Sequence, residues 1–286
     1  MNTTRLFSGI SFILVFTSYS AGFQLQEKEV IKKTVRFSND AGRKEVVIDN
    51  VNGDIEVQGY SGQDVQMVVN KTIQGRSREK IQEAKQKVQL EISEEANSVR
   101  LYVDAPYRKN DASVNYRGWR YYGYKVNFDF KVKVPHECHL YLKTINDGEI
   151  AIREVYGDCE VKNINGGIEM LEAAGSGDVY ALNGEVKVTF RKNPRSASSF
   201  GSLNGDVEVQ FQPDFSADLR IKTFNGEVYT DFPTTYLAPR KPIRTRKDGL
   251  FLYKSDKAFG VRIGKGGPEI EFDAFNGNIY IVKRED

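Results

Sequence analysis

Apolar and polar residues alternate along most of this chain, with the period of two that is typical of β-strands with one buried face. The alternation flanks a recurring phrase, apolar-Asn-Gly-acidic-apolar, as in Leu182-Asn183-Gly184-Glu185-Val186. Asn and Gly tolerate positive φ at little cost, so each phrase predicts a sharp corner between two strands. We expect the apolar residue before each Asn to lie inside. The phrase recurs around Asn52, Asn146, Asn165, Asn183, Asn204, Asn225 and Asn276.

The spacing of the phrase predicts the architecture. From Asn146 to Asn225 successive Asn residues are 19, 18, 21 and 21 residues apart. A fixed period near twenty residues is typical of solenoids, so we predict an all-β chain that forms a β-solenoid of stacked coils with Asn-Gly corners. The Asn side chains would then form an internal hydrogen-bonded ladder. An antiparallel meander of Asn-Gly hairpins is the alternative.

One short helix interrupts the strands. Ser77 can cap a helix with Glu79 in its first turn, and Ile81, Ala84 and Val88 fall on one helical face. The chain therefore contains a single predicted helix, inserted between strands.

An insertion between Tyr107 and Lys125 has the most unusual composition in the chain, because it is rich in Tyr and Arg and holds the only Trp. Aromatic faces with Arg donors can stack on sugar rings or bind anionic glycans. Alternatively, the aromatic side chains cover an open edge of the sheets. If a ligand binds here, we predict that it contacts Trp119, Tyr116, Tyr121 and Arg120.

The N-terminus has the pattern of a secretory signal: Arg5, the apolar run 6–16 and small residues at 18–22. No second apolar stretch of about twenty residues follows, so we predict no integral membrane segment. The predicted organisation is a signal peptide at 1–22, an N-terminal β region with the helix and the insertion at 23–134, and a continuous repeat region at 135–286. The chain should be exported, and it would act in the periplasm, at the cell surface or outside the cell.

The net charge and the two cysteines bear on whether the chain binds nucleic acid and whether it forms a disulfide. The chain has 41 basic and 39 acidic residues, a net charge of +2, and this near balance gives no reason to expect a nucleic-acid partner. Aligning Ile145 with Ile164 places Cys159 beside Leu140 and leaves Cys138 two residues offset. That offset is wide for a disulfide, so we expect two separate thiols.

The candidate metal ligands do not converge in the predicted strands. His136 and His139 lie three residues apart and would point to opposite faces of a strand. The acids after the corners could form a calcium-binding column, but hydrated turns explain them more simply. We therefore predict no metal and no cofactor. These acids are Asp54, Glu149, Glu185, Asp206 and Glu227.

The chain resembles the bacterial secreted putative-adhesin families of unknown function, which are related to auto-transporter adhesin head domains. The likeness rests on the repeated Asn-Gly phrase, the helix between Val69 and Val88, the strand that ends at Val134-Pro135 and Gly264-Lys265-Gly266-Gly267-Pro268 before the last strands. It covers roughly residues 46–282. The resemblance implies a β-solenoid and offers no catalytic residue to carry over.

The sequence thus predicts a non-enzymatic, adhesin-like or scaffolding protein that binds a glycan or a protein partner. A repeated architecture without a catalytic constellation chiefly provides a long ribbed surface for binding. Two alternatives remain open: a polysaccharide-active β-helix enzyme, and a structural subunit of an envelope complex.

Overall fold

The fold is all-β and is described here from a computed structural model, which defines residues 12–19, 25–38, 42–109, 114–115, 117–240, 243–247, 250–254 and 258–285. The strands before residue 136 are β1 (Phe12–Tyr19), β2 (Leu25–Arg36), β3 (Glu45–Asp49), β4 (Ile55–Tyr60), β5 (Asp64–Gly75), β6 (Gln89–Glu94), β7 (Ser98–Asp104) and β8 (Tyr124–Pro135). Two helices accompany them, α1 (Arg78–Lys87) and α2 (Trp119–Tyr122).

The later strands are shorter, and most of them come in pairs joined by a corner. They are β9 (His139–Thr144), β10 (Ile150–Arg153), β11 (Cys159–Asn165), β12 (Ile168–Ala173), β13 (Gly177–Asn183), β14 (Val186–Phe190), β15 (Ser198–Asn204), β16 (Val207–Phe211), β17 (Ala217–Asn225), β18 (Val228–Thr230), β19 (Thr234–Tyr236), β20 (Ile243–Lys247), β21 (Leu250–Lys254), β22 (Phe259–Ile263), β23 (Glu269–Asn276) and β24 (Ile279–Lys283).

These strands form two large sheets of eleven strands each. Sheet A has the order β1-β2-β5-β8-β4-β10-β12-β14-β16-β24-β18, and sheet B has the order β19-β22-β17-β23-β15-β13-β11-β9-β3-β7-β6. The remaining two strands, β20 and β21, pair with each other. Strands from 23–134 and from 135–286 share both sheets, and their buried side chains form one apolar core.

The prediction of a β-solenoid is wrong, although the all-β class is right. A solenoid would stack its coils in chain order with parallel pairing throughout. Here both sheets are mixed: β2, β5 and β8 pair antiparallel over ten to twelve residues, and β17 pairs antiparallel with β22. Long alternating strands such as β5 and β8 can satisfy their backbone groups in antiparallel pairs, so the repeat does not extend over the whole chain.

The spatial order of the strands also departs from chain order. The C-terminal strands β23 and β24 lie between the pair β15/β16 and the pair β17/β18. Their Asn276 is in register with both Asn204 and Asn225. The final corner phrase therefore joins the middle of the stack, whereas the sequence order suggested its end.

The Asn residues form a continuous ladder, each side-chain amide donating to the carbonyl oxygen of the Asn before it in space. The Nδ2···Oδ1 distances lie between 2.7 and 3.2 Å. The ladder was expected inside, but beyond Asn146 its members are exposed at the corners. In spatial order it runs through Asn52, Asn146, Asn165, Asn183, Asn204, Asn276 and Asn225.

Glycine is required at most corners because neighbouring backbones touch there. A Cβ atom on Gly184 would lie 2.2 Å from the carbonyl oxygen of Gly166, and one on Gly205 would lie 2.2 Å from that of Gly184. Positive φ, the reason suggested by the Asn-Gly phrase, applies at Gly53 and Gly166 but not at Gly184 or Gly205. Close backbone approach is therefore the main demand on these glycines.

The apolar residue before Asn lies inside as expected only at Val51, which is buried, and not at the other six corners. In β13, Val179 and Ala181 point into the core, so the same alternation turns Leu182 outward. The equivalent Phe224 and Phe275 are 68% and 42% exposed. These side chains form an outer apolar column beside the Asn ladder.

The predicted helix is confirmed as α1, with Ser77 as its N-cap and with Ile81 and Ala84 buried, but the prediction of a single helix is wrong because α2 forms a second, four-residue helix in the insertion. The predicted signal peptide overlaps β1, which pairs antiparallel with β2, while residues 1–11 and 20–24 lie outside the described part. Removal of the signal stays a prediction. Within the described residues, no helix is long and apolar enough to cross a membrane.

We expect Gly184→Val and Gly205→Val each to destabilise the fold by about 1–3 kcal/mol or more, because the added side chain must displace the neighbouring backbone. Thermal or urea unfolding measures this loss. The exposed neighbour variant Glu185→Ala is the control and should stay within about 0.5 kcal/mol of the parent. Unchanged stability in both glycine variants would show that the corners are not in close contact.

Candidate functional site

The candidate site is the corner between β17 and β18, residues 222–230, which we call the open corner. On one side β17 and β18 pair with β23 and β24. On the other side β17 pairs with β22 only through Ala217–Ile221. Of the Asn-Gly corners in the described chain, this one alone lacks a second neighbour.

The open corner keeps backbone donors that the inner corners use. The first residue of each inner sheet A strand donates its N–H to the next corner, as Val207 does to Asn278 and Ile279 does to Glu227, both at 2.9 Å. Val228 holds the equivalent position, and no described residue accepts its N–H. Gly226 likewise corresponds to Gly205, whose N–H donates to Asn276 at 3.1 Å. The N–H groups of Gly226 and Val228 therefore mark the edge at which a further strand could pair with the open corner.

The Asn ladder also ends with an unused group. Asn225 donates its side-chain amide to Asn276 at 2.8 Å. At inner positions the Oδ1 atom accepts from the next Asn, but within the described chain Asn225 Oδ1 receives no hydrogen bond. The open corner thus presents an acceptor alongside two backbone donors.

Two aromatic stacks end at the same corner. The ring of Phe224 lies 4.9 Å from that of Phe275 with an interplanar angle of 4°, and Tyr229 lies 5.0 Å from Tyr280 at 9°. Strands in a sheet are spaced about 4.8 Å apart, so the rings stack in the direction of strand addition. Phe224 and Tyr229, 68% and 43% exposed, turn their outer faces toward an added strand.

The core beside the open corner is closed. Phe232 is 6% exposed and packs edge-on against Phe215 at 5.6 Å between ring centroids. The Lys283 ammonium lies 5.3 Å from the Phe232 ring centroid. The exposed rings of the open corner are therefore a surface feature, separate from the sealed end of the core.

The predicted ligand contacts of the insertion are only partly placed by the structure. Arg120 and Tyr121 are exposed in α2, and the Arg117 guanidinium lies 5.1 Å from the Tyr121 ring centroid. Trp119 begins α2, but its side chain lies outside the described part, as does Tyr116 altogether. The structure thus brings Arg120 and Tyr121 to the surface together, and the binding role of all four residues stays a prediction.

Other aromatic residues of the insertion cover the core. Tyr107 and Tyr124 are buried, and Tyr122 contacts both rings at centroid distances of 5.4 and 5.8 Å. The Arg108 side chain is also buried; its guanidinium lies 4.4 Å from the Tyr102 ring centroid and donates to Asp49 Oδ1 at 3.0 Å. The insertion therefore places some of its aromatic side chains in the core and others on the surface.

The two histidines occupy separate environments. His136 Nδ1 lies 2.7 Å from the Glu154 carbonyl oxygen, and its ring stacks on Tyr156. His139 Nδ1 accepts the N–H of Asp158 at 3.0 Å, and burial lowers the pKa of its imidazole. Within the described residues no group of three or more His, Cys, Asp and Glu side chains is placed to hold a metal ion.

Some acids after the corners bond to neighbouring corners, a role beyond hydrating a turn. Asp54 accepts the N–H of Glu149 at 2.9 Å, and Asp206 accepts that of Asn278 at 2.8 Å. Glu149 accepts the N–H of Gly167 at 2.9 Å. These carboxylates help to fix the stacking of the corners.

Both cysteines are free and buried, which confirms the expectation of two separate thiols. Cys159 lies opposite Leu140, as predicted from aligning the repeat at Ile145 with the repeat at Ile164. Burial raises the thiol pKa of Cys138 and of Cys159 to about 12.

Sequence reasoning missed the open corner. A signal was present, because the residue before Asn is Ile, Leu or Val at five corners but Phe at Asn225 and Asn276, and Tyr229 and Tyr280 follow these same two corners. The signal could not be used without knowing that these two corners are neighbours.

Comparisons with known proteins give limited similarity. No protein-family model matches the chain, and no curated protein matches it. Among solved structures it is similar to a putative cell adhesion protein from Clostridium sporogenes, with 11% identity and a TM-score of 0.40 over 91% of this chain and 100% of that one. It is also similar to a putative lipid binding protein from Parabacteroides distasonis, with 13% identity and a TM-score of 0.25 over 89% and 97%. At these TM-scores neither likeness assigns a function.

We expect both thiols to resist Ellman's reagent at pH 8 in the native protein. With a pKa of about 12, the reactive thiolate is only about one part in ten thousand at that pH. Denatured protein, whose thiols regain a pKa near 8.5, is the control and should react within minutes. Rapid release of one equivalent of thionitrobenzoate from the folded protein would show that one of the two thiols is accessible and would contradict its burial.

If the insertion binds a glycan, Trp119→Ala and Tyr121→Ala should each weaken binding on a glycan array, because sugar rings stack on exposed aromatic faces. Tyr236→Ala, which removes an 83% exposed tyrosine from β19, is the matched control and should bind like wild type. If all variants bind the glycans as wild type does, the insertion does not bind glycans and serves only to cover the core.

Proposed function

We propose that this protein is an exported, non-enzymatic, adhesin-like binding protein that captures a protein partner at the open corner. The partner would add one extended segment, parallel to the corner and in register with it. The observation that carries this proposal is the set of groups at the open corner that have no partner in the described chain. They are the Val228 backbone N–H, the side-chain Oδ1 atom of Asn225 and the outer faces of the Phe224 and Tyr229 rings.

Strand addition suits these groups better than a small-molecule pocket would. An exposed strand edge binds a peptide through main-chain hydrogen bonds, while side-chain contacts give selectivity. Exposed aromatic residues add apolar area that a partner can bury. Of the six large apolar residues exposed in the described chain, five lie in the strands at this end of the sheets.

The inner corners indicate which partner sequence fits. The residue that stacks on Gly226 must be glycine, because a Cβ atom on Gly226 itself would lie 2.0 Å from the carbonyl oxygen of Gly277 and the geometry repeats outward. An Asn before that glycine could donate to Asn225 Oδ1. The preferred segment is therefore extended and contains an aromatic or apolar residue followed by Asn-Gly.

Export is supported by the N-terminal signal pattern, since Arg5 precedes an apolar run and a small-residue cleavage region. An exposed strand edge would be available to partners outside the cytoplasm. Export and the non-enzymatic role both belong to this proposal.

The test uses a labelled peptide that copies residues 269–283, whose strands already stack against the inner side of the open corner. We expect wild-type protein to bind it saturably in fluorescence anisotropy. Val228→Pro should weaken binding at least tenfold, because proline removes the outward N–H. Val228→Ala keeps that N–H and is the matched control.

A second peptide, with alanine in place of the residue that corresponds to Gly277, should bind much more weakly because its methyl group meets the Gly226 carbonyl. Equal binding of both peptides, or equal binding by Val228→Pro and wild type, would refute strand addition at this corner.

A further inference from the structure

A broad groove crosses the outer face of sheet A, far along the sheet from the open corner. It has a volume of about 1210 Å³ and extends over β2, β5, β8, β4 and β10, and Glu94 at the end of β6 in sheet B also lines it. Alternation in β8 explains its polarity, because Phe130, Val132 and Val134 point into the core while Lys131 and Lys133 point outward. The groove is therefore a polar surface built on a rigid apolar sheet.

The strand register aligns polar side chains into a row across the groove. Gln66 is opposite Thr34 on one side and Lys133 on the other, and Gln58 lies between Lys133 and Arg153. Five strands spaced about 4.8 Å apart give this row a length of about 19 Å. The row contains a hydroxyl, two amides, an ammonium and a guanidinium, and it contains no carboxylate.

The groove carries a net positive charge. Six basic and three acidic side chains line it. Each acid is already paired: Glu94 with Lys33 at 2.6 Å, Glu56 with Lys131 at 3.2 Å and Asp64 with Arg36 at 3.8 Å.

The two remaining lysines are uncompensated. Neither Lys32 nor Lys133 has a carboxylate partner in the part of the chain that the structure defines. Arg153 pairs at 3.2 Å with Glu169, which lies outside the groove. Positive charge in a concave site attracts anionic ligands.

The amide groups in the row are held in place. Gln58 Nε2 donates to Glu154 Oε2 at 2.8 Å and to the Gly59 carbonyl at 2.9 Å. Gln66 Nε2 donates to the Tyr60 hydroxyl at 3.2 Å. Because Gln58 Nε2 already donates twice, its Oε1 atom can accept from a ligand hydroxyl, while the ammonium groups can bind carboxylates.

We infer that this groove binds an extended acidic polysaccharide across the strands, at a site independent of the open corner. Carboxylates of the polymer would contact Lys32, Lys133 and Arg153, and its hydroxyls would bond to Gln58 and Gln66. Single-stranded nucleic acid fits less well, because such sites stack bases on aromatic side chains and none of the groove-lining residues is aromatic.

The test measures binding of labelled polygalacturonate to the full chain, with neutral dextran and oligo-dT as comparison polymers. We expect binding of polygalacturonate that weakens with added salt, and little binding of the other two. The double variant Lys32→Gln/Lys133→Gln should bind about threefold to thirtyfold more weakly, with unchanged thermal unfolding.

The matched control is Lys192→Gln/Lys265→Gln, which removes two exposed lysines outside the groove. It should bind like wild type. Equal losses in both double variants would mean general charge attraction and would overturn the proposal, as would full affinity in the groove variant. Preferential binding of dextran would refute the acidic ligand, and preferential binding of oligo-dT would favour nucleic acid instead.

Discussion

The fold depends on the close approach of backbones at the Asn-Gly corners. The carbonyl oxygen of each corner glycine occupies the space in which the next glycine would carry a Cβ atom, as with Gly166 below Gly184 and Gly184 below Gly205. This contact keeps the strands of both sheets in one register, because a shift by a single residue would bring a side chain against that oxygen. The Asn ladder then adds a hydrogen bond at each step.

Register at the corners also fixes the faces of the sheets. Once Asn183 and Asn204 are aligned, alternation decides which side chains enter the core on either side of them. The outer faces inherit the same order, so like residues lie next to like residues in rows. The stacked pairs Phe224/Phe275 and Tyr229/Tyr280 are consequences of the same alignment.

Local features of the fold could be predicted from the sequence because they depend on neighbouring residues. The corners, the helix capped by Ser77 and the placement of Cys159 beside Leu140 are of this kind. The spatial order of strands is different. Every corner phrase can stack on every other, so nothing in the sequence states that Asn276 lies between Asn204 and Asn225.

The candidate sites were hidden for the same reason. The open corner depends on which strand pair is last in space, and the groove joins β2, β8 and β10, which are distant along the chain. The alternation of buried and exposed residues in β13 does predict that Leu182 points outward, because Val179 and Ala181 point inward. The orientation of Leu182 follows from the alternation of the whole strand β13 and not from the corner phrase alone.

The insertion of the C-terminal strands has a consequence for how the chain folds. Strands β17 and β18 are synthesised before β23 and β24, yet they reach the rest of the two sheets through those later strands. Growth of the stack from the N-terminus can proceed only as far as β16, and the last two strand pairs must then assemble together. Such long-range pairing is slow because a large loop has to close first. A chain that leaves a ribosome or a translocation pore N-terminus first would therefore complete its two sheets only after β23 and β24 have emerged.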